Sequence, residues 1–344
     1  MRLGLVGYGN GGRHFHAPYI VAAPGVELAG AVIRAADRRA LFELDYPGVP
    51  VFGSLTEMLV SGSVDAVTIT TPPATRRELV QEAIAGGVHV VADKPFAPTA
   101  ADGRELVEAA QAAGVGLSVF HNRRYDADIR TVAAVIRGGE LGDLWRVESR
   151  FDLDEPGTLD PGPHGGLLRD LGAHLVDQLR WLLGPVRTVH AQLDWVDQPD
   201  GRTDAGFAVD LVHTSGVRSR ASATKLNRNF EKEYRVYGSG GSFISRGTDA
   251  QTAAIFAGRR PLAEGDAWGY EAEDRLGVLS TASGRRPVPS ERGATQDFYE
   301  AFGAAVRGAG PFPVPGEEAV RTLELLDAAR VSARDGRVVE LPAW

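Results

Sequence analysis

Met1-Arg-Leu-Gly-Leu-Val-Gly7-Tyr-Gly9-Asn10-Gly-Gly12 opens the chain and decides its fold, because an apolar stretch runs directly into a G-x-G-x-x-G turn. Leu3 to Val6 alternate little, as a strand buried on both faces of a parallel sheet does, and Arg13 to Val21 can follow as a helix. In that setting each glycine has a separate task. Gly7 permits the tight turn, Gly9 lets the backbone approach a pyrophosphate, and Gly12 lets helix and strand pack closely. The phosphates would then sit at the helix N-terminus, where unpaired backbone N–H groups converge, with Asn10 among their contacts.

The strand-then-helix rhythm continues. Apolar runs at Leu3 to Val6, Glu27 to Ile33, Val64 to Ile69, Val88 to Val91 and Val115 to Phe120 alternate with helical spacing at Arg76 to Ala85 and Ala100 to Ala113. Such alternation predicts parallel strands joined by crossover helices, hence an α/β doubly wound Rossmann sheet. Gly86-Gly87 and Gly114 stand where helices end. Thr71-Pro72-Pro73 cuts a strand short at the edge where such sheets bind ligands, which puts Thr71 and Pro72 beside a dinucleotide.

After Phe120 the pattern changes. Tyr125 to Gly138 and Leu167 to Leu183 read as helices, and Leu144 to Leu153 as a strand. Val186 to Trp195, Asp204 to His213, Val217 to Thr224 and Glu231 to Tyr237 follow as strands with no long helix between them, which predicts a mainly antiparallel, open-faced sheet. Ser245 to Arg292 carries little pattern, and helices at Thr295 to Arg307 and Glu317 to Ala333 finish the chain. The expected division is a dinucleotide-binding Rossmann domain over 1–121 and an α+β domain for substrate and oligomer contacts over 122–344.

Composition narrows the function. A chain of 344 residues suits two domains, and a formal charge of -8 opposes nonspecific nucleic-acid binding, which needs a basic face. With no cysteine there is no disulfide framework, no thiolate nucleophile and no cysteine metal site. The first residues enter a strand at once and no apolar run reaches the length of a bilayer span, so a cytoplasmic protein without a membrane partner is expected. Lysine occurs only at Lys94, Lys225 and Lys232 among 37 basic residues. A lysine kept beside Pro95 at a strand end therefore suggests a need for a compact ammonium.

Three further segments stand out: Asp93-Lys94-Pro95, Asn122-Arg123-Arg124-Tyr125, and Gly165-Gly166-Leu-Leu-Arg-Asp170-Leu-Gly-Ala-His174. Together with Gly7 to Gly12, in this order, they resemble the Gfo/Idh/MocA family of sugar and inositol dehydrogenases over nearly the whole chain. Phe15-His16-Ala17-Pro18, the aspartate at position 93 and Asn122-Arg123-Arg124 are most similar to the branch with NADP-dependent scyllo-inositol dehydrogenases. One departure stands out: some members carry a Trp-Arg pair shortly before the double glycine, where this chain has Asp160-Pro-Gly-Pro-His164, which implies an altered substrate pocket.

Asp170 and His174 stand at i and i+4 on the expected helix, so both side chains project from one face. Oxidising a secondary alcohol requires removal of the hydroxyl proton as hydride leaves the same carbon, and imidazole is poised for that proton. Asp170 would orient His174 or bind a neighbouring hydroxyl. The resemblance implies that Lys94 contacts the substrate hydroxyl and the nicotinamide ribose, where its charge favours a developing alkoxide. Asn122, Arg124 and Tyr125 are expected to line the substrate cleft.

Cofactor choice turns on Arg34. NAD-preferring sites place an acidic residue at the end of the second strand, whereas this chain has Arg34 there with Arg38 close by, which suits a 2'-phosphate; Asp37 lies too far along to be the usual ribose ligand. NADP(H) is expected to be preferred, with NAD(H) the alternative. His14 and His16 do not share a helix face and His164 has no partner at ligand spacing, so no metal site is expected. The expected partners are a small polyol or sugar substrate and a second or further copies of the chain, as a homodimer or homotetramer through the open sheet. Two other functions are carried as alternatives, a sugar-nucleotide ketoreductase of secondary metabolism and a dinucleotide-sensing regulator; intact Lys94, Asp170 and His174 argue against the second.

Overall fold

The structure is a computed structural model that describes residues 1–162, 165–199 and 201–342. The chain divides into two compact units. The first comprises Met1–Asn122 together with Thr252–Trp268 and Ala294–Val320, and the second takes the remaining segments from Arg123 onward. The first unit thus reaches beyond the expected cut near 121 and reclaims two stretches from late in the sequence.

In the first unit six strands, β1 (Arg2–Val6), β2 (Glu27–Val32), β3 (Val51–Phe52), β4 (Ala66–Ile69), β5 (His89–Asp93) and β6 (Leu117–Phe120), form one sheet in the order β3-β2-β1-β4-β5-β6. Every pairing is parallel. The continuous apolar runs are what a sheet covered on both sides demands: Leu3, Leu5, Val67, Ile69, Val90 and Val91 are all fully buried. The order reverses between β1 and β4, and the crevice beyond their C-terminal ends is where a ligand binds in such a sheet. The reclaimed helix Gln296–Val306 buries Phe298, Tyr299 and Phe302, and the ring of Phe298 meets that of Phe120 edge-on at 5.1 Å. Each such phenylalanine contributes about 1.5–3 kcal/mol by leaving water.

The second unit is built on nine strands: β7 (Leu144–Asp154), β8 (Val186–Gln198), β9 (Gly201–His213), β10 (Arg218–Thr224), β11 (Leu226–Gly238), β12 (Gly241–Ser245), β13 (Val278–Thr281), β14 (Gly284–Pro287) and β15 (Val339–Glu340). Their order is β14-β13-β12-β11-β7-β10-β9-β8-β15, antiparallel throughout except where β7 runs parallel to β10. Alternation sets the buried face, with Ala205, Phe207, Val209 and Leu211 of β9 inward. The helix Ala173–Leu183 packs against β7 and β10.

Ser245 to Arg292, which carries little sequence pattern, holds the helices Ala250–Phe256 and Pro261–Glu264 and the β13/β14 hairpin. The helix expected from Tyr125 begins instead at Ala127, because Asn122–Tyr125 forms a separate 3-10 turn.

Candidate functional site

At the end of β1 the chain turns at Gly7, whose φ of 102° is open to glycine and strained for other residues. Thr70, just beyond β4, pins this turn by donating its hydroxyl to the carbonyl of Gly7 at 3.0 Å. Gly12 sits so close behind that a Cβ there would lie 2.2 Å from the Gly7 carbonyl oxygen. Gly9 faces open space, so its backbone is reachable from outside. The helix that follows opens as a wide π-helical turn, Gly11–His16, and only then continues as the α-helix Ala17–Ala22. Sequence spacing predicted a regular helix here.

A cavity of 350 Å³ opens beside this turn, lined by Gly7 and Gly9 on one side, Arg34 and Arg38 on another, and Ser54, Thr56 and Thr71. Arg34 follows β2 directly after Ile33, and both arginines are exposed. A glycine turn that admits a phosphate chain, with guanidinium groups from Arg34 just after β2 and Arg38 in the helix Ala36–Asp45 that follows, fits a dinucleotide with its adenosine ribose toward the arginines. Asn10 and Gly12 continue the same turn without lining the cavity, and Pro72 precedes the helix Pro73–Ala85.

Lys94 follows β5 and is half-buried. Its surroundings are set by buried charge that the sequence did not reveal. Asp93 accepts the backbone N–H of Lys94 at 2.8 Å, and its other oxygen lies 3.6 Å from both His16 Nε2 and Arg76 Nη2. Burial alone would push the Asp93 carboxyl up, but His16, Arg76 and Lys94 hold it well below the usual carboxylate range. Arg76 donates to the carbonyls of Pro95 at 2.6 Å and Thr71 at 2.7 Å, bracketing the Lys94 segment. His16 bonds the Tyr299 hydroxyl at 2.5 Å through Nδ1, so this histidine belongs to the interior of the first unit.

In the second unit the double glycine is dictated by crowding. A Cβ at Gly165 would lie 2.3 Å from the Asp160 carbonyl oxygen, and one at Gly166 2.1 Å from Asp204 Oδ1. That closeness lets Asp204 accept the backbone N–H of Leu168 at 2.6 Å and satisfy the start of the next helix. The helix begins as a π-helical turn, Leu168–Gly172, before the α-helix Ala173–Leu183. Asp170 lies in the wide turn and His174 four residues on, in the first turn of the α-helix, where it is buried. Single π-helical turns recur at functional sites. Lys225, absent from the sequence-based candidates, donates to Asp170 Oδ2 at 2.9 Å.

Arg124 is buried and forks onto Asp177, with both bonds at 2.7 Å, and Thr322 donates to the same carboxylate at 3.0 Å. Gln178, next along that helix, donates to the carbonyl of Arg123 at 2.7 Å and accepts from the Tyr234 hydroxyl at 2.7 Å. Arg124, expected to line the substrate cleft, thus anchors the helix that bears His174. Tyr125 lies under the Arg130 guanidinium at 5.0 Å, and Asn122 is the last residue of the first unit's opening segment. His164 lies outside the described residues. Among the described residues no group of three or more histidines and acids gathers at metal-binding distance.

Comparison with known proteins gives a consistent result. Residues 1–121 match the profile described as the GFO_IDH_MocA oxidoreductase family with an NAD-binding Rossmann fold, and residues 129–244 match the GFO/IDH/MocA C-terminal domain. An uncharacterized oxidoreductase of Escherichia coli K12 is 34% identical, with 97% of this chain and 96% of that one covered. The scyllo-inositol 2-dehydrogenase (NADP(+)) of Bacillus subtilis 168 is 29% identical over 99% of this chain and 96% of its own. A solved oxidoreductase structure from Yersinia pestis superposes with a TM-score of 0.90 at 34% identity, covering 100% of this chain and 98% of that one.

Proposed function

The chain belongs to the Gfo/Idh/MocA oxidoreductase family, and from that membership we propose that it transfers hydride between NADP(H) and a secondary alcohol or ketone of an inositol, sugar or polyol. The observation that carries the cofactor assignment is the cavity that Arg34 and Arg38 share with the glycine turn. Two guanidinium groups match a 2'-phosphate by charge and by fork geometry, and the residue that follows β2 after Ile33 is Arg34 and not a carboxylate; Asp37 lies 3.7 Å from Arg38, and Glu82 also lines the cavity. A bound nicotinamide dinucleotide supplies the hydride acceptor or donor. Gly7, Gly9, Asn10, Gly12, Thr71 and Pro72 are assigned to its phosphates and nicotinamide arm.

His174 takes the hydroxyl proton in oxidation and returns it in reduction. Asp170 accepts a hydrogen bond from a neighbouring hydroxyl, a role that selects a substrate with hydroxyls on adjacent carbons. Lys94 carries the positive charge that favours oxyanion character at the reacting oxygen. The similarity to a scyllo-inositol 2-dehydrogenase supports this substrate class.

The experiment has two parts. Purified protein is titrated with NADPH and with NADH, and tighter binding of NADPH is expected. Turnover is then followed at the reduced-nicotinamide absorbance band with scyllo-inositol, myo-inositol and a panel of sugars. Equal or tighter NADH binding refutes the role of Arg34, and binding of either nucleotide with no turnover across the panel refutes the reaction.

A further inference from the structure

Of the three lysines in a chain whose 37 lysine and arginine residues are otherwise all arginine, Lys94 has a place in the proposed chemistry. Lys232 is buried between Asp126 and Asp128, at 3.2 and 2.9 Å. Lys225 is assigned to nothing so far. It stands between β10 and β11, its backbone N–H donated to the Ala205 carbonyl at 3.0 Å. Its ammonium donates to Asp170 Oδ2 at 2.9 Å, to Thr158 Oγ1 at 2.8 Å and to the Thr158 carbonyl at 3.4 Å. An ammonium has three N–H donors, so these contacts use all of them.

The pair is lopsided. The Lys225 side chain is 5% exposed, whereas the Asp170 side chain is 42% exposed. A surface ion pair has two wet ends and holds neither in place. Here the cation is in the interior and the carboxylate reaches outward from it. Burying an ammonium is costly unless it is paired and fully hydrogen-bonded, so filling space alone would favour an apolar side chain at this position. Arginine would not serve, because its planar fork spreads five donors and cannot bring three acceptors to one nitrogen. Asp170 itself sits on the π-helical turn Leu168–Gly172, four residues before His174.

We propose that Lys225 is a positioning residue for the reaction: it fixes the Asp170 carboxylate from beneath, through Oδ2, so that Asp170 meets the substrate hydroxyl in one orientation. The inference rests on the reading of Asp170 and His174 as the substrate-handling pair. Through Thr158 the same ammonium also ties the turn Pro156–Thr158 into the joint. Lys225 touches no reacting atom, and its effect is expected in turnover and not in cofactor affinity.

The test joins kinetics to spectroscopy on the full chain. With the alcohol of the panel above that wild type turns over, Lys225→Met is expected to lose about a hundredfold in kcat, the scale of a misplaced reacting geometry, with NADPH affinity unchanged. Ethylammonium added to Lys225→Ala should restore part of that turnover, and Lys225→Arg should not. In an Asp170→Asn background, adding Lys225→Met should cost no more than about twofold, because groups acting as a unit are not additive. Full turnover in folded Lys225→Met, or losses that multiply in the double variant, overturns the proposal.

A readout that needs no folded Lys225 variant comes from the rarity of lysine. Protein labelled with 15N at lysine side chains carries three ammonium groups, and the two signals left in Lys94→Ala are those of Lys225 and Lys232. Asp170→Asn is expected to shift one of these and leave the other. If neither moves, the pairing is absent and the inference fails. If wild type turns over no alcohol of the panel while one signal still answers to Asp170→Asn, the reading of the reaction fails and takes the positioning role with it.

Discussion

Single side chains carry the sharpest tests. Arg34→Asp replaces a guanidinium at the cavity with a carboxylate, which should shift the preference from NADP toward NAD by tenfold or more, the ~1.5–3 kcal/mol of a hydrogen bond to a charged group. Competitive nucleotide titration of the variant measures it, and an unchanged ratio removes Arg34 from the site. Lys94→Ala should lose roughly a hundredfold or more in turnover with little loss of cofactor affinity, and Lys94→Arg should also be poor, because a fork cannot stand in for a compact ammonium. Steady-state kinetics with both variants decides; near-normal rates return Lys94 to a structural role. His174→Asn should depress turnover and flatten the rise of oxidation rate through the pH range where an imidazole ordinarily loses its proton. These candidates come from the sequence itself, where scarcity makes Lys94 conspicuous and spacing links Asp170 to His174. The same scarcity marked Lys225, yet its pairing with Asp170 spans 55 residues and three strands, and no local pattern records that.

Elements explain why certain glycines and acids occupy their positions. Gly12→Ala would set a Cβ 2.2 Å from a carbonyl that belongs to the tight turn, so either turn or helix must move. A cost of about 1–3 kcal/mol in stability is expected from such crowding, with a larger loss in dinucleotide affinity, measured by denaturant unfolding and by nucleotide titration. Asp177→Ala removes the carboxylate onto which the buried Arg124 guanidinium forks and should destabilise by about 3–5 kcal/mol while loosening the helix that carries His174. Strands with continuous apolar runs were readable in advance, and so was the break to antiparallel pairing after Phe120. β3, with two residues, is too short to show a period. The π-helical turns at Gly11–His16 and Leu168–Gly172 escaped for a related reason, since over six and five residues the apolar spacing of a wide turn and of an α-helix coincide. The acceptor on Leu168 N–H was equally hidden, because Asp204 comes from a strand 36 residues away.

For the molecule as a whole, the segments that pack together are not those a single cut near 121 would group. Thr252–Trp268 and Ala294–Val320 join the first unit through contacts such as Tyr299 with His16, and a linear reading has no means of pairing residues 283 apart. Three histidines, half-buried His14 and His89 in the first unit and buried His213 in the second, lead to a prediction about pH. His213 is fully buried, with Nδ1 2.9 Å from the Gly184 carbonyl and Nε2 2.8 Å from Ser219 Oγ, an arrangement a neutral ring satisfies by donating from one nitrogen and accepting at the other. His89 accepts the backbone N–H of Gly116 at Nδ1, 2.9 Å away, so that nitrogen must keep its lone pair. Burial lowers the pKa of both, and of His14. A group whose folded-state pKa lies below its unfolded value contributes stability that is present in full above the unfolded pKa, ~6.5 for histidine, and lost as pH falls through the folded value. Stability should therefore decline as pH drops from about 7.5 to about 5.5, before the carboxylates begin to protonate, and the native state should take up fewer protons than the unfolded chain over that window. Thermal midpoints measured across it check the sign. His89→Gln and His213→Gln, which cannot titrate, should each have a shallower slope than the parent, and a midpoint that stays level or rises toward pH 5.5 would show that burial of neutral imidazoles does not govern the acid side of this fold.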